Sequence, residues 1–70
     1  MRGEPVLRNR LKEERARLGL TQAELAAMAG VSRKTINTVE NGVFVPSTVL
    51  ALRLARALGV SVEQQFRLEG

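Results

Sequence analysis

A joint of only three residues, Gly30-Val31-Ser32, separates two predicted helices and constrains the fold more than any other feature of the chain. Thr21 and the glutamate three residues after it have the spacing of a capping box at the start of the helix before the joint. Ser32 is a good N-cap for the helix after the joint. Gly30 can adopt a positive φ at low cost, as a sharp turn requires. So short a joint does not let the helices lie flat and antiparallel, and it predicts a steeply crossed helix-turn-helix over residues 22–41.

Caps and apolar spacing predict three further helices. One covers residues 7–18, one runs from Ser47 to about residue 58, and a short one begins at Ser61. None of these helices would be stable alone in water, so they must bury their apolar faces against one another. The sequence therefore predicts an all-α, compact five-helix bundle. Short extended terminal segments are the expected addition, because residues 4–7 could pair as a strand with residues 67–68.

The size and residue usage of the chain limit its chemistry. With 70 residues, the chain is expected to form one domain over residues 1–70. Cysteine and histidine are both absent, which removes disulfides, thiolate metal sites, the commonest metal ligand and the commonest general base. Dense helix packing or dimerisation must therefore supply the stability, and no metal or cofactor is expected.

The charge of the chain favours polyanionic partners. Its net charge is +4 and its pI is near 11.2, which makes nucleic acid a natural partner but is weak evidence alone. No apolar run approaches the roughly 20 residues that span a bilayer. Residues 1–10 lack the apolar core of a signal peptide. We therefore expect a cytoplasmic protein.

The third predicted helix, over residues 32–41, divides into an apolar and a polar face. Ile36 and Val39 are expected to point inward. The outward residues are all polar: Arg33, Lys34, Asn37, Thr38 and Asn41. Such side chains can read base edges in the major groove of DNA, but any exposed helix has a polar outer face. From the residues alone, both interpretations stay open.

Part of the sequence resembles a known protein family. Residues 18–42, LGLTQAELAAMAGVSRKTINTVENG, closely resemble the phage-repressor, Cro/CI-type (XRE) helix-turn-helix family, and the resemblance continues through residues 46–66. Its most specific parts are Thr21-Gln22, Ala26 four residues before the turn glycine, and Glu40-Asn41-Gly42. The resemblance implies a lambda-repressor-like domain. It also implies a sequence-specific regulator of transcription, a repressor in particular, that binds double-stranded DNA.

The resemblance assigns roles to individual residues. The positions of base-reading side chains fall on Arg33, Lys34, Asn37 and Thr38. The positions that contact phosphate fall on Gln22, Ser32 and Asn41, and Gln22 would also brace the recognition helix.

The resemblance further implies that Arg15 and Glu40 form a buried salt bridge. That pairing would explain why Arg15 lies on the apolar stripe of the first predicted helix. The alternative is two exposed and independent charges.

Two departures from the family pattern stand out. Many relatives carry Lys or Arg just after the Asn-Gly pair, where this chain has Val43-Phe44-Val45. One or two phosphate contacts are then missing, and the salt dependence of binding should be shallow. Gln65 stands where relatives usually place Leu or Ile, so the fifth helix is expected to be less apolar than usual.

A single recognition helix reads only a few base pairs, so proteins of this kind usually dimerise to reach two successive major grooves. We expect a homodimer formed through residues about 58–68. The alternative is a monomer that pairs only on DNA.

Two other functions compete with the repressor. An antitoxin-like protein would bind a toxin partner as well as its own operator, and residues 43–45 could supply the partner surface. An enzyme is disfavoured because all seven acidic residues are Glu and no pair of them is expected in a pocket. No catalytic residue is therefore predicted.

Overall fold

A computed structural model describes residues 6–69 of the chain. Within these residues the chain forms five helices and two short strands. The helices are α1 (Leu11–Arg17), α2 (Gln22–Ala29), α3 (Arg33–Glu40), α4 (Thr48–Leu58) and α5 (Val62–Gln65). The strands are β1 (Val6–Asn9), which precedes α1, and β2 (Phe66–Glu69), which follows α5. None of these helices is long and apolar enough to cross a membrane.

A single apolar cluster joins the helices. Side chains from every helix except α5 are buried in it, and β2 contributes Phe66. The fully buried aliphatic residues are Leu11, Leu25, Ile36, Val39, Leu54 and Leu58. Ala26 and Ala29 are also buried on α2, where small side chains let α3 and α4 approach closely. The polar face of α3 is thereby held in one orientation relative to the rest of the domain.

The joint between α2 and α3 has the predicted chemistry. The Thr21 side chain accepts from the Glu24 N–H while the Glu24 carboxylate accepts from the Thr21 N–H, which completes the capping box. Gly30 ends α2 with φ at 73°. The Val31 N–H donates to the Ala26 carbonyl over 3.0 Å, so the turn satisfies carbonyls that the helix end would leave free. Because these contacts are local in sequence, the sequence was sufficient to predict them.

The all-α class is not strictly correct, because the two ends of the described chain form strands, as the expected extended terminal segments allowed. β1 and β2 pair in an antiparallel sheet, with Leu7 opposite Leu68 and Arg8 opposite Arg67. This pairing agrees with the alternative of a terminal strand at residue 7, while residues 4 and 5 lie outside the described residues. The predicted first helix is correct only from Leu11 onward. The spacing of Leu7 and Leu11 fits a helix, but in the strand Leu7 also packs against the core.

Asn9 explains why the helix does not begin earlier. Its side-chain oxygen accepts from the Leu11 N–H over 3.1 Å, and its amide nitrogen donates to the Val39 carbonyl over 2.9 Å. The first contact satisfies a free N–H at the start of α1, and the second ties the strand end to α3. Asn9 therefore marks the boundary between β1 and α1 and links it to a residue 30 positions away in sequence.

Gln65, which the sequence predicts to make the fifth helix less apolar, is only 1% exposed. Its Oε1 accepts from the Arg10 N–H over 2.9 Å, and its main-chain oxygen accepts from the same N–H over 3.0 Å. No residue among 6–69 accepts from its Nε2. The amide therefore joins α5 to the start of α1, a contact that a leucine could not make.

Candidate nucleic-acid interface

The outer face of α3 carries the residues that the sequence assigned to base reading. Arg33, Lys34 and Asn37 are exposed, and Thr38 is half-buried. Ile36 and Val39, on the opposite face, are buried in the core. The helix therefore presents its polar face to solvent with its direction fixed by the apolar one.

Two cations lie in the first turn of α3. Neither the Arg33 nor the Lys34 side chain makes a salt bridge or hydrogen bond with any residue among 6–69. Positive charge at a helix N-terminus opposes the helix dipole and costs about 0.3–1 kcal/mol at each such site. No acidic residue lies in this turn to compensate. The arrangement is unfavourable for the free protein and favourable for contact with an anion.

Thr38 presents less of its chemistry than the sequence suggested. Its hydroxyl donates to the Thr35 carbonyl over 2.9 Å, so the hydroxyl proton is used within the helix. The methyl group and the oxygen lone pairs remain for an outside partner. Thr38 can therefore contact a thymine methyl group or accept a hydrogen bond, but it does not donate one.

Ser32 caps α3 and remains exposed. Its Oγ accepts from the Thr35 N–H over 3.1 Å and lies 2.9 Å from the Thr35 hydroxyl. The sequence predicted the cap but not the pairing with Thr35. The spacing of a cap and its third following residue is the signal that could have found it.

Arg15 and Glu40 form a salt bridge beneath this face. The Arg15 Nε lies 2.8 Å from one Glu40 carboxylate oxygen and its Nη2 lies 3.3 Å from the other. The Glu40 side chain is only 5% exposed and that of Arg15 17% exposed. The Arg15 Nη1 also donates to the Leu20 carbonyl over 2.9 Å. The two charges are therefore paired and largely buried, and they are not the exposed, independent charges of the alternative.

The hydrogen bonds that Arg15 donates to the Glu40 carboxylate raise the pKa of its guanidinium above its ordinary value, and burial opposes that rise less strongly. The guanidinium therefore stays charged at any pH at which the protein would be studied.

Three amide side chains continue from this pair towards solvent. The Gln22 Nε2 lies 3.0 Å from Glu40 Oε1 and 3.3 Å from Asn37 Oδ1. The Asn41 Nδ2 donates to the same Asn37 Oδ1 over 3.3 Å. We call Gln22, Asn37 and Asn41 the amide chain. The sequence assigned Gln22 a bracing contact, but it gave no sign that Asn37 is the shared acceptor.

The segment after α3 is apolar and exposed. Val43 is 78% exposed and Val45 66% exposed, whereas Phe44 is partly covered by residues of β1 and α3. The N–H groups of Val43 and Phe44 both donate to the Thr38 carbonyl. The segment is therefore held against the end of α3, and its side chains carry no charge.

A second exposed apolar surface lies on α4 and the elements that follow it. Val49 and Leu52 of α4 are more than half exposed, as is Leu68 of β2. Leu52 lines two shallow grooves, and Val62 of α5 lines both of them as well. Val62 and Leu68 fall within the predicted range 58–68, but Val49 and Leu52 do not. The positions of Val49 and Leu52 beside the buried stripe of Leu50 and Leu54 are the sequence signal that could have identified them.

Comparisons with known proteins agree on one family. The sequence model of the helix-turn-helix family matches residues 11–65. The HTH-type transcriptional regulator YgzD of Bacillus subtilis is 41% identical over 63 residues, which cover 90% of this chain and 96% of that protein. An HTH-type transcriptional regulator of Methanothermobacter thermautotrophicus is 53% identical over 53 residues, which cover 76% of this chain and 77% of that protein.

A solved structure has the same fold. The restriction-modification controller protein C.AhdI from Aeromonas hydrophila superposes with a TM-score of 0.75 and is 38% identical in sequence. The superposition covers 79% of this chain and 83% of C.AhdI.

Removal of the Glu40 carboxylate tests the structural weight of the salt bridge. Glu40→Ala leaves the Arg15 guanidinium largely buried without its partner, and we expect the free energy of unfolding to fall by about 3–5 kcal/mol. Chemical denaturation followed by circular dichroism measures the loss.

Glu14→Ala is the matched control. Glu14 also makes a 2.8 Å salt bridge, but its partner Arg17 is 53% exposed. That substitution should cost less than about 1 kcal/mol. A loss from Glu40→Ala as small as that from Glu14→Ala would contradict a structural role for the buried pair.

Proposed function

The chain belongs to the Cro/CI-type (XRE) helix-turn-helix family of DNA-binding transcriptional regulators, and from this membership we propose that it represses transcription by binding a specific operator. In this proposal residues 32–41 enter the major groove of double-stranded DNA. The observation that carries the proposal is the pair of unpartnered cations, Arg33 and Lys34, at the exposed start of α3. The C.AhdI resemblance supports it, because that protein is described as a controller.

Base reading is assigned to four side chains of α3. Arg33 and Lys34 have the charge and reach to donate to guanine O6 and N7. Thr38 offers its methyl group to thymine, since its hydroxyl proton is donated within the helix. Asn37, the fourth, is exposed and lies next to them on the helix surface.

Phosphate contacts are assigned to Gln22, Ser32 and Asn41. Ser32 and Asn41 lie at the two ends of α3 and are exposed. Gln22 donates its Nε2 protons within the protein, so we assign its phosphate contact to its main-chain N–H. That N–H is in the first turn of α2, where helix geometry provides no internal acceptor and the helix dipole favours an anion.

The rest of the chain is proposed to support this one activity. Residues 1–70 would act as one DNA-binding domain in the cytoplasm, with no metal, cofactor or catalytic role. Within residues 6–69 no group of three or more acidic side chains is placed to hold a metal ion.

We also propose that the protein binds DNA as a homodimer. Exposed apolar side chains of α4 and the half-buried Val62 of α5 line the same shallow grooves and form one candidate surface, and such patches mark interaction sites on soluble proteins. A two-fold dimer would place two copies of α3 in successive major grooves about 34 Å apart. The surface overlaps the predicted range 58–68 and extends beyond it to Val49 and Leu52.

Selection of bound DNA from a random library tests the proposed function. Arg33→Ala and Lys34→Ala should each relax the selected sequence by about 1–3 kcal/mol at the base pair that loses its contact. Ser32→Gly is the control, because glycine keeps most of the capping effect while removing the hydroxyl. It should weaken binding to all sequences about equally. An unchanged preference in both Arg33→Ala and Lys34→Ala would contradict the assignment.

Sedimentation at micromolar concentration in low salt tests the dimer. We expect the native protein to sediment as a dimer and Leu52→Lys as a monomer, because a buried unpaired charge disfavours the interface. Met28→Lys is the matched control, since Met28 and Leu52 are both 55% exposed but Met28 lies on α2. A native protein that sediments as a clean monomer would contradict the proposal, and so would a dimeric Leu52→Lys.

The exposed segment Val43-Phe44-Val45 favours a second candidate function, an antitoxin-like protein that binds a toxin partner through this segment. Val43→Lys separates the two candidates. If the segment lies against the DNA backbone, the added charge should tighten binding and steepen the slope of log affinity against log salt by about 0.9. An unchanged slope would instead favour the protein partner.

A further inference from the structure

The Glu40 carboxylate determines the direction of every hydrogen bond in the amide chain. An ionised carboxylate can only accept, so the Gln22 atom that lies 3.0 Å from Glu40 Oε1 must be the amide nitrogen. The orientation of the Gln22 amide is thus fixed by chemistry. Its Nε2 has two protons, of which one is donated to Glu40 and the other to Asn37 Oδ1.

The oxygen of Asn37 is then fully used. An amide oxygen has two lone pairs, and here one accepts from Gln22 and the other from the Asn41 Nδ2. The Asn37 Nδ2 makes no hydrogen bond to any residue among 6–69. Because the Asn37 side chain is exposed, it presents two unused N–H donors and no unused acceptor to solvent.

We propose that Asn37 reads DNA as a donor only and selects a keto base, guanine through O6 or thymine through O4, at the position it contacts. This inference rests on the proposed function and deepens it. An asparagine that reads adenine uses both its oxygen and its nitrogen, the oxygen to accept from N6 and the nitrogen to donate to N7. Asn37 has no free lone pair for the adenine amino group, and cytosine also presents an amino group there.

The donor pattern of Asn37 is rigid because it depends on the buried Glu40 carboxylate. For Asn37 to free its oxygen, Gln22 must give up one donor contact or turn its own oxygen towards Glu40. The second change places two acceptors against each other beside a side chain that is 5% exposed, where water cannot easily relieve the repulsion. A contact within the protein therefore sets which bases this surface accepts.

Base analogues in the selected operator test the inference. The base pair that Asn37 contacts is first located as the one whose preference changes in Asn37→Ala. At that pair, removal of the keto oxygen, with 2-aminopurine for guanine or 5-methyl-2-pyrimidinone for thymine, should weaken binding roughly fivefold. Removal of the exocyclic amino group from the partner base, with purine for adenine or 2-pyrimidinone for cytosine, should leave the affinity unchanged.

Asn37→Ala is the matched control for both analogues. The effect of each analogue on duplex stability is the same for both proteins, so the difference between native protein and Asn37→Ala isolates the side chain. A fivefold loss on removal of the amino group that disappears in Asn37→Ala would overturn the inference. No altered base pair in Asn37→Ala would overturn it too.

Gln22→Met tests the origin of the donor pattern. Methionine has a similar length, leaves the Arg15–Glu40 pair in place and donates nothing to Asn37. We expect Gln22→Met to bind DNA more weakly and to lose the discrimination between the keto oxygen and the amino group. The two analogues should then have similar effects on its affinity. Asn41→Ala removes the other donor and should relax the same position. Discrimination that persists in both variants would show that the amide chain does not set it.

The outcome of selection separates this inference from the proposed function. If no sequence is enriched, the proposed function is wrong and base reading by Asn37 is wrong with it. A second outcome is a sequence that is enriched and depends on Arg33 and Lys34, but at which Asn37 requires the exocyclic amino group rather than the keto oxygen. In that case only the inference is wrong.

Discussion

The carboxylate of Glu40 contacts side chains from two other helices and is the point at which they meet. It accepts from Arg15 of α1 and from Gln22 of α2, while its own backbone ends α3. A buried ion pair adds little net stability over well-packed apolar residues, because desolvation of the two charges offsets their attraction. Its effect is to make one arrangement of three helices much better than its alternatives, since any shift leaves a charge unpaired.

That constraint reaches the surface through the amide chain. Apolar packing of Ile36 and Val39 decides which side of α3 faces outward, but it leaves the rotation of an exposed amide free. The buried carboxylate accepts from Gln22, and Gln22 donates in turn to Asn37, so that both amides lose that freedom. The interface thus combines two kinds of side chain. Arg33 and Lys34 are free to adapt to a ligand, and Asn37 is oriented before one arrives.

The sheet and Gln65 act on the same domain from its other end. β1 pairs with β2, and the Gln65 amide and carbonyl both accept from the Arg10 N–H where α1 begins. Asn9 then donates to the carbonyl of Val39 in α3. The terminal segments therefore brace the helix that carries the candidate interface. A chain without disulfides gains this bracing from hydrogen bonds between residues far apart in sequence.

The sequence by itself determined the features that depend on neighbouring residues. The caps at Thr21, Ser32, Ser47 and Ser61 and the turn at Gly30 follow from short-range geometry, so the starts of α2 to α5 and the helix-turn-helix were predictable. The Arg15–Glu40 pair was reachable only through family resemblance, because nothing local joins residues 25 positions apart.

Tertiary structure alone decided the strand at Leu7, the burial of Gln65 and the free donors of Asn37. The apolar spacing at Leu7 suits a helix and a strand equally, and the partner strand, in which Leu68 lies opposite Leu7, selects between them. The hydrogen-bonding direction of an amide is likewise absent from its residue type. It is set by the donors and acceptors that lie within hydrogen-bonding distance, and only the folded chain brings Glu40 to Gln22.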